Sequence, residues 1–102
     1  MNMNIQNLMK EAQKMQRELQ KTQKELENTE YEGSSSCVKI VLNGNKELKS
    51  IKLNFDDDFS GKDDVEMLED MILVAFNDAQ KKVDADKNKK LGKYGSNLSG
   101  LM

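Results

Sequence analysis

Near the N-terminus, apolar or small residues recur at alternating intervals of three and four positions. They are Ile5, Leu8, Ala12, Met15, Leu19, Thr22, Leu26 and Thr29. This spacing is the apolar seam of a heptad repeat and predicts an amphipathic helix. Neither Pro nor Gly interrupts the segment. We therefore predict a helix over residues 4–28, about 35 Å long at the usual rise per residue.

A line of basic residues, the basic stripe, follows the face of this helix opposite the apolar seam. Its members are Lys10, Lys14, Arg17, Lys21 and Lys24. Two interpretations are open. Charged residues commonly fill the solvated face of such a helix, and Glu11, Glu18 and Glu25 are spaced to pair with the stripe along the helix. A continuous basic line also suits the phosphate backbone of nucleic acid, with affinity arising from counterion release.

The apolar period changes to two after residue 30, which predicts a sheet. Gly33 and the serines at 34–36 suit a turn. Segments 37–44 and 46–55 alternate apolar and polar residues, and Asn43-Gly44 between them is a strong hairpin signal. Because an isolated hairpin is marginal, we expect a short strand around residues 29–33 to complete a three-stranded antiparallel meander.

A second helix is predicted after the sheet. Asp63 and Glu66 resemble a capping box at its start, and Gly92 marks its end. The segment at 71–76 is apolar around the whole helix, which requires cover on two sides. The sheet supplies one side and a second subunit the other. The residues expected at this dimer interface are Met71, Ile72, Leu73, Val74 and Phe76.

Length and composition indicate one small domain without catalytic chemistry. A chain of 102 residues buries about two thirds of its unfolded surface, and we place a single domain at 1–92 and a flexible tail at 93–102. The lone Cys37 and the absence of His exclude an internal disulfide and a thiolate–imidazole zinc site. The aspartates at 56–58 and 63–64 lack the spacing of a calcium loop. We therefore expect no enzyme activity, metal, cofactor or small-molecule substrate.

The charge is unevenly distributed along the chain. The net charge is −2, but the acidic excess is concentrated in residues 56–70, and the remainder is neutral or basic. Local potential matters more to a polyanion than the total charge does. The sequence contains no apolar run of about 18 residues and no signal peptide. A cytoplasmic protein without a membrane partner is expected.

Three segments, in this order, resemble the YbaB/EbfC family of bacterial nucleoid-associated proteins: LMKEAQKMQ (8–16), VLNG (41–44) and LEDMILVAFNDA (68–79). The resemblance extends over about residues 5–92. It implies an α+β fold of order α-β-β-β-α and a tweezer-like homodimer. It also implies binding of double-stranded DNA with little sequence preference, in chromosome organisation and gene regulation. The chain departs from the family at the serines 34–36, where a Gly-rich connection is frequent, and in having no Pro in its tail.

The resemblance assigns DNA binding to the helices. Carried onto this chain, it points to the basic stripe and to a second group near the end of the second helix, the α2 lysines. These are Lys81, Lys82, Lys87, Lys89 and Lys90. The alternative is a coiled-coil chaperone or adapter similar to a prefoldin β-type subunit. Such a protein needs a second long heptad helix and exposed apolar tips, and an assembly larger than a dimer would support it.

Overall fold

The chain folds into a helix, three antiparallel strands and a second helix. The computed structural model describes residues 4–54 and 61–94. The elements are α1 (Ile5–Asn28), β1 (Glu30–Ser35), β2 (Val38–Asn43), β3 (Leu48–Leu53), α2 (Gly61–Leu91) and a short 3-10 turn (Gly92–Tyr94). The predicted α+β class and α-β-β-β-α order are confirmed.

Helix α1 projects from the rest of the fold. It begins after Asn4, whose side-chain oxygen accepts a hydrogen bond from the backbone N–H of Gln6 at 3.0 Å, an ordinary N-cap. Residues 5–18 are all exposed, whereas Leu26 is buried. The molecule is accordingly elongated, with extents of 78, 19 and 14 Å. The helix is therefore anchored near its C-terminal end, where α1 contacts β2 and α2.

The core lies between α2 and one face of the sheet. The strands are ordered β1-β2-β3, and alternate residues of β2 (Val38, Ile40 and Leu42) are buried beneath the helix. The facing residues of α2 are spaced by four positions and share one face. They are Ala75, Ala79 and Val83, all fully buried. Since α2 packs on β1 and β2, β3 forms an edge outside this core.

Gly33 permits a close approach of the α2 backbone to β1. A Cβ atom at this position would lie 2.1 Å from the carbonyl oxygen of Ala75 and 2.4 Å from the backbone nitrogen of Ala79. Glycine in the strand and alanines in the helix therefore let the two backbones touch directly. The sequence indicated a turn at Gly33 and the serines at 34–36, and a short strand around residues 29–33. The strand is present, but the turn begins later than expected, because β1 continues to Ser35 and Gly33 pairs with Ile40 inside it.

The hairpin predicted at Asn43-Gly44 is present, and its turn differs from the two-residue type in which Asn-Gly is commonest. Residues 44–47 connect the strands, and the residue with positive φ is Lys46 (φ 63°), not Gly44. The Asn43 side-chain oxygen accepts from the backbone N–H groups of Asn45 and Glu47 at 2.9 and 3.0 Å. A Cβ at Gly44 would lie 2.0 Å from the carbonyl oxygen of Leu26. Glycine is needed here for the contact with α1.

Helix α2 begins at Gly61, earlier than the predicted start at Asp63. Its first turn contains Asp63 and Asp64, whose negative charge is favourable near the helix N-terminus. The predicted end before Gly92 is confirmed. Most of the predicted tail, and the aspartates at 56–58, lie outside the described residues.

A side-chain hydrogen bond joins β1 to the C-terminal half of α2. The Tyr31 hydroxyl donates to the Asp86 carboxylate, which also forms an ion pair with Lys90 at 3.0 Å. Burial, followed by the Asp86 contact, raises the pKa of Tyr31. The Tyr31 hydrogen bond, and then Lys90, lowers the pKa of Asp86. The folded state thus favours a neutral phenol beside an ionised carboxylate.

We expect Gly33→Ala to lower the free energy of unfolding by about 3 kcal/mol or more, because the added methyl group meets backbone atoms that cannot rotate away. Urea denaturation followed by circular dichroism measures this. Gly92→Ala is the control, since a Cβ there meets nothing within 4 Å. Equal stability of the two variants would contradict the close approach.

We expect Tyr31→Phe to lower the free energy of unfolding at pH 7 by about 1.5–3 kcal/mol, the usual range for a hydrogen bond to a charged group. The Asp86 contribution is complete above its unfolded pKa of about 3.9 and is lost as the pH falls through its lower folded pKa. The Tyr31 contribution is complete below about pH 10 and is lost as the pH rises through its higher folded pKa.

Urea titrations of the Tyr31 variant at several pH values should therefore show a weaker loss of stability on acidification than the parent chain. Tyr94→Phe is the matched control, because the buried Tyr94 hydroxyl has no hydrogen-bond partner among the described residues. Parallel pH profiles for the parent and Tyr31→Phe would rule out the coupling to Asp86.

Candidate nucleic-acid interface

The basic stripe lies on the exposed part of α1. All five of its side chains are exposed, and the helix is continuous from Ile5 to Asn28. From Lys10 to Lys24 the stripe is about 21 Å long at the helical rise per residue. A regular helix thus presents five cations in one line to solvent.

The stripe forms no short ion pair within residues 4–54 and 61–94. The sequence allowed glutamates of α1 to pair with it, yet Glu11, Glu18 and Glu25 form no ion pair with it at an N···O distance of 4.0 Å or less. The ion pairs that the described chain does form lie on the sheet and on α2. The positive charge of the stripe is therefore not offset by a close carboxylate.

The α2 lysines divide into two groups. Lys82 donates to the backbone carbonyl of Glu32 at 2.7 Å and lies 3.5 Å from the Asp78 carboxylate. Lys90 is paired with Asp86. Lys82 therefore links α2 to β1, and Lys90 forms an ion pair within α2. Lys81 and Lys89 are exposed, Lys87 is half-buried, and the described residues provide none of the three with an ion pair.

Asp78 reinforces the same contact between α2 and β1. Its carboxylate accepts a hydrogen bond from the backbone N–H of Ser34 at 3.1 Å. This bond, and then the charge of Lys82, lowers the pKa of Asp78. At neutral pH the side chain is an anion that satisfies a strand N–H and attracts a lysine of its own helix. Sequence reasoning treated Lys82 as a DNA contact and missed this role.

The C-terminal ends of both helices lie at the same end of the sheet. Gly44, beyond the end of β2, touches the Leu26 backbone near the end of α1. Tyr31 pairs with Leu42 at this end of β2 and bonds to Asp86 of α2. The fold therefore brings the base of α1 close to the α2 lysines that follow Asp86.

An open apolar face lies beside the core. Leu73 and Val74 of α2 are 61% and 55% exposed, whereas Met71, Ile72 and Phe76 are partly buried against the core. Three residues of β3 are also exposed although their strand partners in β2 are buried: Leu48, Ile51 and Leu53. We use the term open apolar face for Leu73, Val74 and these three residues. The β3 part was not predicted.

Two further kinds of feature are absent from residues 4–54 and 61–94. No helix in these ranges is long and apolar enough to cross a membrane. No group of three or more His, Cys, Asp or Glu side chains in the same ranges is placed to hold a metal ion.

Comparison with known proteins identifies the family. Residues 1–98 match the YbaB/EbfC DNA-binding family. A nucleoid-associated protein of Clostridium botulinum is 46% identical over 99 residues, covering 95% of this chain and 86% of the relative. One from Rhodospirillum centenum is 51% identical over 84 residues, covering 80% and 77%. One from Ligilactobacillus salivarius is 36% identical over 99 residues, covering 97% and 95%. The chain therefore belongs to the YbaB/EbfC DNA-binding family.

Proposed function

We propose that this protein binds double-stranded DNA through the basic stripe of α1 and acts as a nucleoid-associated architectural protein without catalysis. The main observation in favour of this proposal is that the stripe is exposed and has no short ion pair within the described residues. Its proposed roles are nucleoid organisation and gene regulation. The family and the names of the relatives support this proposal.

The stripe suits the phosphate backbone in length and in chemistry. About 21 Å of helix corresponds to about six phosphates of one strand. Lysine and arginine that neutralise phosphates release condensed counterions, so binding weakens as salt is added. Contacts of this kind position a protein on the duplex and carry no sequence information. We therefore propose low sequence specificity.

The α2 lysines form a second, smaller contact region in this proposal. The members proposed to reach phosphate are Lys81, Lys87 and Lys89, which form no ion pair with the described residues. Lys82 and Lys90 are already held by carboxylates of α2. Their contribution to DNA binding is proposed to be smaller, and their contribution to the α2–β1 contact larger.

The open apolar face supports a homodimer. Exposed apolar side chains on a helix and on an edge strand are features that soluble proteins usually cover. A second copy of the chain would bury the open apolar face on both subunits. Such a dimer would carry two α1 arms, and hence two basic stripes, which increases the number of phosphate contacts per particle.

One observation favours the chaperone or adapter alternative. The apolar seam is itself exposed toward the N-terminus, with Ile5, Leu8 and Met15 at 68%, 47% and 57%. An exposed apolar tip is what a client-binding coiled coil presents. However, the partner of α1 in such a protein would be another long heptad helix, whereas α2 packs on the sheet.

We expect Lys14→Glu/Lys21→Glu to weaken binding to an arbitrary duplex of about 30 base pairs by tenfold or more at ~50 mM salt. Each lost phosphate contact should reduce the log–log salt slope by about 0.9. Fluorescence-anisotropy titrations across a salt series measure both quantities.

The matched control is Lys49→Glu/Lys62→Glu, which carries the same change in net charge at exposed positions of β3 and α2. It should retain most of the parent affinity. If both double variants lost affinity equally, net charge and not the stripe would explain binding. Circular dichroism should be unchanged in both.

We expect the parent chain to sediment as a dimer, twice the chain mass of 11.6 kDa, and Ile51→Lys/Leu73→Lys to sediment as a folded monomer. Analytical ultracentrifugation measures this. Met9→Lys is the control, because Met9 is 57% exposed on α1 outside the open apolar face. An assembly larger than a dimer would instead support the chaperone or adapter alternative.

A further inference from the structure

Two lysines face each other across the β2–β3 ladder. Lys39 and Lys52 are direct partners in the antiparallel register. Their neighbours Val38 and Ile40 point into the core, and successive side chains of a strand alternate between faces. Lys39 and Lys52 therefore project from the outer face of the sheet, away from α2 and from the open apolar face. Directly opposed side chains begin about 5 Å apart.

This pairing of like charges is unfavourable for the folded chain. Identical charges placed directly opposite each other destabilise a sheet. The closest compensation is Glu32, whose carboxylate lies 3.9 Å from the Lys39 ammonium, with both side chains more than half exposed. Within the described residues, Lys52 has no ion pair. The cross-strand pairing of the two lysines therefore contributes no stabilisation of its own.

The two lysines border a surface cavity of about 440 Å³, the lysine cavity. Its lining consists of Ser36, Cys37, Lys39, Lys52 and Asn54. Ser36 and Asn54 carry neutral hydrogen-bond donors beside the two lysines, and no carboxylate is among the described residues that line the cavity. The Cys37 sulfur lies 3.5 Å from the Met71 sulfur on α2. Positive charge combined with neutral donors is the chemistry that binds phosphate oxygens.

We propose that the lysine cavity binds a phosphate of the nucleic-acid backbone, as a contact site separate from both helices. This inference rests on the proposed function and extends it. An anion between Lys39 and Lys52 would convert their repulsion into two attractions. The same donors suit a free phosphate ion, so the test must distinguish the two sources.

The position of the cavity extends the proposed footprint on DNA. The base of α1 touches Gly44 beyond one end of β2, whereas Lys39 lies near the other end. Five residues of strand separate these points, about 17 Å. The lysine cavity therefore lies toward the end of the sheet opposite the base of α1.

The test is Lys52→Glu, which replaces a repulsive cross-strand pair with an attractive one. We expect its thermal midpoint to equal or exceed that of the parent chain. We also expect its affinity for the 30-base-pair duplex to fall about tenfold at ~50 mM salt, with the salt slope reduced by about 0.9 per lost contact. Higher stability together with a loss of affinity larger than that of a matched charge change elsewhere would distinguish a phosphate contact from a purely structural lysine.

Lys49→Glu is the matched control, since it lies on the same strand, carries the same charge change and does not line the cavity. If Lys52→Glu bound DNA as tightly as Lys49→Glu, the inference would be overturned, while a loss of binding in the Lys14/Lys21 variant would still support the proposed function. Failure of the parent chain to bind DNA at low salt would overturn both.

In a second experiment, inorganic phosphate is titrated into the protein while the amide resonances of Ser36 and Asn54 are followed by NMR. Weak or absent saturation, together with the loss of DNA affinity in Lys52→Glu, supports a backbone phosphate. Saturation by millimolar phosphate with unchanged DNA affinity in Lys52→Glu would assign the cavity to a free phosphate ion and overturn the backbone contact.

Discussion

The direct contact between the α2 backbone and Gly33 determines much of the remaining architecture. Because no side chain separates strand from helix at this point, α2 is drawn over β1 and β2. The carboxylate of Asp78, the Lys82 ammonium and the Tyr31–Asp86 bond then tie the helix to β1 at positions along its length. A helix held so firmly over two strands leaves the third uncovered. The open apolar face is the consequence of this placement.

The elements of the fold were predictable because each has a local cause. The heptad spacing and the absence of Pro and Gly specify α1, and alternation around Asn43-Gly44 specifies the hairpin. The packing of α2 on the sheet was expected from its apolar segment, but the close approach at Gly33 was not, since it depends on Gly33 meeting Ala75 far along the chain. For the same reason the sequence shows Gly44 only as part of a hairpin signal, although the close approach of Leu26 is what requires glycine there.

The basic stripe of α1 was more predictable from the sequence than the roles of the α2 lysines. The line of cations on α1 follows from helical geometry alone, so its exposure is the expected outcome. On α2 the lysines are interspersed with aspartates, and the two ion pairs that form within the helix have the i,i+4 spacing that a sequence can show. The links of Lys82 and Asp86 to β1 appear only in the tertiary structure. Lys82 and Lys90 stabilise the fold, while Lys81 and Lys89 extend into solvent. A count of basic residues therefore overstates the charge available to a polyanion.

The attachment of α1 near one end gives it the mechanics of a lever. Leu26 is buried at the base, while residues 5–18 contact solvent. In an arm of about 36 Å, a rotation of about 10° at the base displaces the N-terminal end by about 6 Å. Small adjustments in packing around Leu26 and Gly44 thus translate into large changes in the distance that two such arms can span.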